Sequence, residues 1–407
     1  MIWRARALVT MDGPPVENGA VWVEEGRVRA AGAFPEVARL GSGPVVDLGE
    51  EVILPGLINA HCHLDYTMMR GAITYQSSFS RWIARINAIK RSLDSGDYLR
   101  AIAAGFAELR SHGATTVLNI ESFPELMLMM PPPPLRTWWF YELIDIRNCN
   151  PTEEVVAGAL AFFEERDGWL GGCGLSPHAP YTASRHLYRL ANACADSTGL
   201  LLTTHVAESD EEDLMFRHAR GNLYDFLASI GRDMGDCGGR SSTARLLAED
   251  LIGRDWILVH LNEMDEDDFE MLAAPGLAES IHLVHCPRSH RYFRRRPFPY
   301  KRLHDLGVRI SLGTDSLASN DSLDLFAEMQ TLEETEPWLA PESLLKTVTV
   351  NPARALRKER TLGRLAPGAH ADAICVPFHG DISTVYDEIV HFQGRVHWML
   401  VEGEPAQ

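Results

Sequence analysis

The sequence predicts an α/β fold: a (β/α)8 TIM barrel with a small satellite β-sandwich domain built from both chain ends. Short apolar runs alternate with helical stretches at intervals of roughly 30 to 50 residues, the spacing of parallel βα units. Eight such runs occur between residues 51 and 313. His and Asp side chains stand at or just past the C-terminal ends of several of them, the edge on which such barrels build their sites. A doubly wound open sheet is the alternative, but no Gly-rich phosphate-binding fingerprint follows any run.

Taken in order, residues 1–50 carry short alternating runs cut by turn residues: Ala7-Leu8-Val9-Thr10, Ala20-Val21-Trp22-Val23, and Arg27 to Gly32. This is the pattern of small antiparallel sheets, and it is assigned to the N-terminal part of the sandwich. The barrel is assigned to residues 51–364. Its strands are predicted at Glu51 to His63, Thr115 to Ile120, Thr137 to Ile144, Gly172 to Ser176, Leu200 to His205, Trp256 to His260, His282 to His285, and Val308 to Gly313. The β texture returns in Ala373-Ile374-Cys375-Val376 and in Val396 to Val401, so residues 365–407 are assigned to the C-terminal part of the sandwich. Pro131 to Pro134 reads as a stiff polyproline segment in the second βα connection. Asp236 to Thr243, rich in Gly and Ser, reads as a flexible loop.

Composition narrows the function classes. A chain of 407 residues with 45% hydrophobic and 23% charged residues is that of a globular protein, not a disordered or collagen-like one. The net charge of -18 argues against nucleic acid as a partner, because phosphate binding needs a basic footprint. Seven cysteines without a CxxC pair do not make a disulfide framework, so a cytoplasmic location is expected. No stretch reaches the roughly 18 apolar residues of a membrane span, and the N-terminus meets Asp12-Gly13-Pro14-Pro15 before a leader-like apolar run develops.

The chemistry begins at His61-Cys62-His63. Two imidazoles at i and i+2 of a strand point to one face, so both reach a single metal ion. His205 ends the fifth predicted strand and Asp315 follows the eighth. Three imidazoles and a carboxylate suit Zn²⁺, with Fe²⁺ as the alternative, and leave a position open for water. Glu208 falls just past His205, on the same rim, where a carboxylate can carry protons; an ordinary loop Glu is merely solvated. His260 ends the sixth strand as either a fifth ligand or a base holding the water, and the second role is favoured.

At these residues the chain resembles a known family. Leu54-Pro55-Gly56-Leu57-Ile58-Asn59-Ala60-His61-Cys62-His63, Thr204-His205-Val206-Ala207-Glu208-Ser209, Val259-His260 and Gly313-Thr314-Asp315-Ser316 are similar to motifs of the amidohydrolase superfamily, in its cytosine-deaminase and chlorohydrolase branch. The tail segments Asn351 to Leu356 and Gly363 to Ala373 extend the likeness over nearly the whole chain. The resemblance implies one metal per subunit, bound by His61, His63, His205 and Asp315. Dinuclear members use a carboxylated Lys at the end of strand four, where this chain has Gly172-Cys173-Gly174-Leu175-Ser176-Pro177-His178 and no Lys. It further implies that Asp315 and His260 take and orient the proton of an activated water, that Glu208 protonates the ring nitrogen beside the attacked carbon, and that ammonia leaves.

For the substrate, the resemblance makes His178 the first-choice contact and places Arg70 and Trp82 in the loop where relatives set specificity. Those relatives carry a Glu nine residues after that Trp; here the position is Arg91. Cys286-Pro287-Arg288-Ser289-His290 and Leu312 to Asn320 resemble the bacterial group that includes aminodeoxyfutalosine deaminase of menaquinone biosynthesis, whose substrate joins a 6-aminopurine nucleoside to a benzoate. Arg288, with Arg70 or Arg147, is therefore expected to bind a carboxylate, since a guanidinium grips one bidentately. Arg294-Arg295-Arg296 reads as a solvated loop. The competing functions are a chlorohydrolase or amide hydrolase acting on a triazine-like heterocycle, and a non-catalytic metal-binding scaffold. Family habit implies a homodimer, with a small heterocyclic molecule as the partner in the site.

Overall fold

The computed structural model describes residues 1–146, 151–164 and 168–406. Eight strands run parallel in chain order: Leu57–His63, Ala114–Glu121, Arg136–Leu143, Gly171–Pro177, Leu201–Val206, Ile257–His260, His282–His285 and Arg309–Leu312. A short continuation of the last, Asp315–Ser316, pairs with the first through Asp315 with Cys62 and Ser316 with His63. The sheet thereby curls into a TIM-like barrel.

Closure depends on two small features of the sequence. A Cβ at Gly313 would lie 2.8 Å from the Cβ, N and O atoms of His61, so only glycine lets the eighth strand come this near the first. Beside it, the buried amide of Asn59 donates to Thr314 Oγ1 at 2.7 Å and accepts from the Thr314 backbone N–H at 3.2 Å. These contacts set the strand that carries His61 and His63 in register with the turn that carries Asp315. Inside the barrel, Ile58, Ala60, Leu118, Ile120, Trp138, Phe140, Ile257, Val259 and Val284 pack into one apolar cluster with Ala353, Ala355 and Leu356.

The apolar run predicted as a single strand from Glu51 to His63 is two strands. Glu51–Pro55 pairs with Ile2–Leu8 and Ala373–Pro377 in a second sheet, and Leu57–His63 starts the barrel. The break falls at Gly56, where a Cβ would strike the Thr115 side chain at 2.2 Å. Both halves are buried, so no change of polarity marks the junction. The second sheet orders Glu404–Pro405, Trp398–Val401, Ala373–Pro377, Glu51–Pro55, Ile2–Leu8, Val16–Glu24 and Arg27–Ala33, with Val45–Asp47 added alongside Ile2–Leu8. Both chain ends therefore build it. The helix Val385–Val390, inside the segment assigned to the sandwich, packs instead on the helix Pro341–Thr347.

Two further expectations change. The connection from the second to the third strand contains only the 3-10 turn Pro124–Met129, because the prolines at 131–134 have no N–H to propagate a helix. The segment from Asp236 is pinned: Asp236 accepts from Arg232 at 2.7 and 2.9 Å, and the helix Ser242–Ala248 begins before Thr243. The two sheets are joined by a buried ionic cluster, in which Arg136 at the start of the third barrel strand reaches Asp372 at 2.8 Å and also Glu402. No helix among the described residues is long and apolar enough to cross a membrane.

Candidate functional site

His61 and His63 project from the first strand and His205 from the fifth, and donor nitrogens of the three lie within 4.8 Å of one another. Asp315 Oδ1 stands 3.8 Å from His61 Nε2 and 3.9 Å from His63 Nε2. The four predicted ligands converge. Two of them are oriented from behind: His205 Nδ1 meets the His178 carbonyl at 2.8 Å, which turns its Nε2 toward the others. Asp315 Oδ2 accepts from Ser289 Oγ at 2.7 Å. His61 Nε2 is buried without a hydrogen-bond partner, which suits it to accept a cation. Burial, with the neighbouring imidazoles, holds His61 and His63 well below the usual histidine range. His205 falls to about 4, again chiefly through burial. The imidazoles are therefore neutral lone-pair donors, as Zn²⁺ or another divalent cation requires.

The strand ends that carry these groups hold backbone that ordinary residues avoid. Ala207 has φ 51°, His260 φ 84°, Leu261 φ 50° and Asp315 φ 57°, all in the left-handed region. Backbone bonds hold this shape: Leu261 N–H donates to the Val206 carbonyl at 3.0 Å, and Asn262 N–H to the Ala207 carbonyl at 2.9 Å. Glu212 accepts from the backbone N–H groups of Ala207 and Glu208 at 2.8 and 2.9 Å, which locks the turn presenting Glu208. Its neighbour Glu211 accepts from Phe79 and Ser80, docking the start of the helix Phe79–Lys90 against the same rim.

Glu208 is buried, with Oε1 3.9 Å from His260 Nε2. Burial, then the nearby charge of Asp315, pushes its carboxyl well above the usual range, while Arg295 pulls the other way. Arg295 departs from the solvated loop predicted for it. Its side chain is 7% exposed, lies against Phe79 and Phe293, and meets Asp210 at 3.5 Å. Burial lowers His260 strongly, so it too is neutral.

These groups open into a cavity of about 370 Å³ whose lining includes His63, His178, His205, Glu208, His260 and Asp315. Its outer part is apolar, formed by Phe79, Trp82, Ile86, Phe226 and Ile230 among others. Of the expected substrate contacts, His178 and Trp82 line it. His178 Nδ1 meets Thr182 Oγ1 at 2.6 Å and its Nε2 stands 3.8 Å from Glu142.

Arg288 does not line the cavity. The helix Pro287–Tyr292 begins at this point and turns Ser289 toward Asp315, which sends Arg288 to Ser322 at 2.5 Å and to Asp321. Arg70 likewise faces outward, bound to Glu108 and the Asp321 carbonyl. Arg147 lies outside the described residues. The cavity's lysine is Lys90, whose Nζ lies 2.8 Å from Tyr66 OH. The sequence reading passed over Lys90, although Trp82, Ile86 and Lys90 are spaced i, i+4, i+8 on one helix and so share a face. Glu142, near the end of the third strand, and Ser289 were missed as well.

Residues 52–396 match the amidohydrolase family. The 5-methylthioadenosine/S-adenosylhomocysteine deaminase of Pyrococcus furiosus is 27% identical over 369 residues, covering 88% of this chain and 82% of that protein. The aminodeoxyfutalosine deaminase of Deinococcus radiodurans is 32% identical over 360 residues, covering 83% and 80%. Among solved structures, Helicobacter pylori aminofutalosine deaminase in complex with methylthio-coformycin superposes with a TM-score of 0.86 at 20% identity, over 99% of both chains. An adenosine deaminase from Xanthomonas campestris with bound zinc gives 0.83 at 24% identity, over 99% of this chain and 92% of that one. The two structures establish likeness of fold.

Proposed function

Because the chain belongs to the amidohydrolase family and is a hydrolase acting on C–N bonds, we propose that it removes ammonia from the 6-aminopurine of a nucleoside derivative. The observation that carries this reading is that Glu208 and His260 line the same cavity as His63, His205 and Asp315, on which His61 also converges. A bare metal holder has no use for that pair. Relatives named as deaminases of methylthioadenosine, S-adenosylhomocysteine and aminodeoxyfutalosine support the same class of substrate.

We assign His61, His63, His205 and Asp315 to hold one Zn²⁺. A divalent cation there supplies Lewis acidity that makes water nucleophilic near neutral pH. The chain's own residues do the rest. Asp315 accepts a proton from the attacking water, and His260 orients that water from the opposite side of the rim. Glu208, kept protonated by burial, donates to the ring nitrogen next to the attacked carbon, so negative charge does not build on the ring. Asp315 then passes the proton it took to the amino group, which leaves as ammonia, while the Glu208 carboxylate takes up the proton of the new hydroxyl as the carbonyl forms. His178 lies close enough to His205 to contact the purine beside the reacting carbon; their ring centroids are 5.0 Å apart.

The apolar outer chamber suits a purine nucleoside whose 5′ position carries an apolar group, and stacking on Trp82 favours an aromatic one. Aminodeoxyfutalosine, with its benzoate, is our specific candidate, which would place the enzyme in menaquinone biosynthesis. The cation for its carboxylate is then Lys90, since Arg288 is tied up outside the cavity. We divide the chain into a barrel beginning at Leu57 and a satellite β-domain, the expected sandwich, formed by the strands of both ends. The deciding experiment measures ammonia release from adenosine, 5′-methylthioadenosine and aminodeoxyfutalosine, with halide release from chlorotriazines as the control. Halide without ammonia would move the enzyme to the chlorohydrolase class.

A further inference from the structure

Three potential metal ligands meet in the second sheet, away from the residues assigned to catalysis. The antiparallel register pairs Glu51 with Pro377 and Ile53 with Cys375, so Glu51 and Cys375 are diagonal neighbours on one face. His397 directly precedes the strand Trp398–Val401, whose Trp398 pairs with Cys375. His397 Nε2 lies 3.3 Å from Glu51 Oε1 and 3.9 Å from Cys375 Sγ, and the three donor atoms all fall within 4.8 Å of one another.

A hydrogen-bonded trio accounts for only part of this arrangement. Cys375 is fully buried, and Glu51 Oε2 is buried with no hydrogen-bond partner. His397, by contrast, keeps 59% of its side chain exposed, which leaves a path from solvent and room for water in further coordination positions. Burial pushes both the Glu51 carboxyl and the Cys375 thiol upward, so each resists its anionic form while the cluster holds no positive charge. A dication reverses that balance, because two anionic ligands neutralise it and the orphaned carboxylate oxygen gains a partner.

We propose that Glu51, Cys375 and His397 form a second cation site, taking a thiophilic divalent ion of the Zn²⁺ class through thiolate, imidazole and carboxylate. Such a donor set matches the ligand preferences and the tetrahedral geometry of Zn²⁺, with water as the fourth ligand. Binding forms the metal–sulfur bond as the thiol proton passes to solvent, so affinity rises with pH. The site joins three adjacent strands contributed by both chain ends, and its cation pins the C-terminal strands to the rest of the sheet.

The test titrates Co²⁺ into the whole chain carrying a single equivalent of zinc, which occupies the barrel site and leaves the second site free, and follows the near-ultraviolet thiolate-to-cobalt charge-transfer band. The wild type develops the band as it takes up one equivalent beyond the barrel metal. Cys375→Ser abolishes the band and leaves deamination unchanged. His397→Ala, at an exposed position that the fold does not need, abolishes it at the same Co²⁺ concentration. Absence of the band in the wild type, or its survival in either variant, overturns the assignment. The outcome is independent of the substrate reading, since it is scored by metal uptake and not by turnover.

Discussion

Replacing Glu208 with Gln isolates proton transfer from every other part of the site. The substitution keeps side-chain size, and the Glu208 carboxyl makes no close bond that folding needs; the neutral His260 Nε2 stands 3.9 Å away. The turn that presents it is held by Glu212 through backbone N–H groups, which the substitution leaves alone. Stability and metal content should therefore match the wild type. Loss of a positioned general acid–base costs on the order of 10²- to 10⁴-fold in kcat, roughly 3 to 5 kcal/mol of transition-state stabilisation. The pH profile supplies a second reading. Burial and Asp315 raise the Glu208 carboxyl, so its protonated form is present at neutral pH, and kcat/KM falls as pH rises through the raised value. The residual activity of Glu208→Gln should lack that alkaline limb. Arg295 opposes the shift, so Arg295→Met should move the limb to higher pH while leaving metal content intact. Ammonia release measured across pH decides the matter. A Gln variant within tenfold of wild type, or one retaining the same alkaline limb, would refute the role of Glu208.

Lys90→Met should raise KM by tenfold or more for a carboxylate-bearing nucleoside, a loss of about 1.4 kcal/mol or more, and by less than about threefold for adenosine. Arg288→Met should move neither, because its guanidinium is held by Ser322 and Asp321; steady-state kinetics on both substrates checks the pair. Arg136→Met should lower unfolding free energy by about 3 to 5 kcal/mol in urea titration, because it strands the buried Asp372. The Glu402 carboxyl belongs to the same cluster. Burial pushes it up, but hydrogen bonds from His370 and Arg136 outweigh this and hold it down to about 2. A carboxyl depressed in the folded state stabilises above its ordinary value of 4.5, and that contribution disappears as pH falls from there toward about 2. With the side chain 31% exposed, the contribution is on the order of 2 kcal/mol, and urea midpoints at pH 6 and pH 3 should differ accordingly.

What the sequence determined by itself was the set of groups at strand ends. His61 and His63 are two residues apart on an extended run, and His205, His260 and Asp315 each close a short apolar segment, so the parallel βα pattern brings them to one rim. The absence of a Lys after Ser176 was equally plain. Only the tertiary structure decided which neighbours turn inward. Ser289 and Arg288 are adjacent in the chain, but a helix rotates successive side chains by about 100°, so one faces Asp315 while the other faces Ser322 and Asp321. Lys90 reaches the cavity because Glu211, distant in sequence, docks the start of its helix on the rim. Arg295 is buried against Phe79 and Phe293 by packing that composition cannot reveal, and the division of the apolar run between two sheets at Gly56 leaves no mark in polarity because both of its halves are buried. Strand periodicity is local and readable. The partner of a charge and the direction of a helix face depend on residues far apart in the chain, brought together only by the closed barrel.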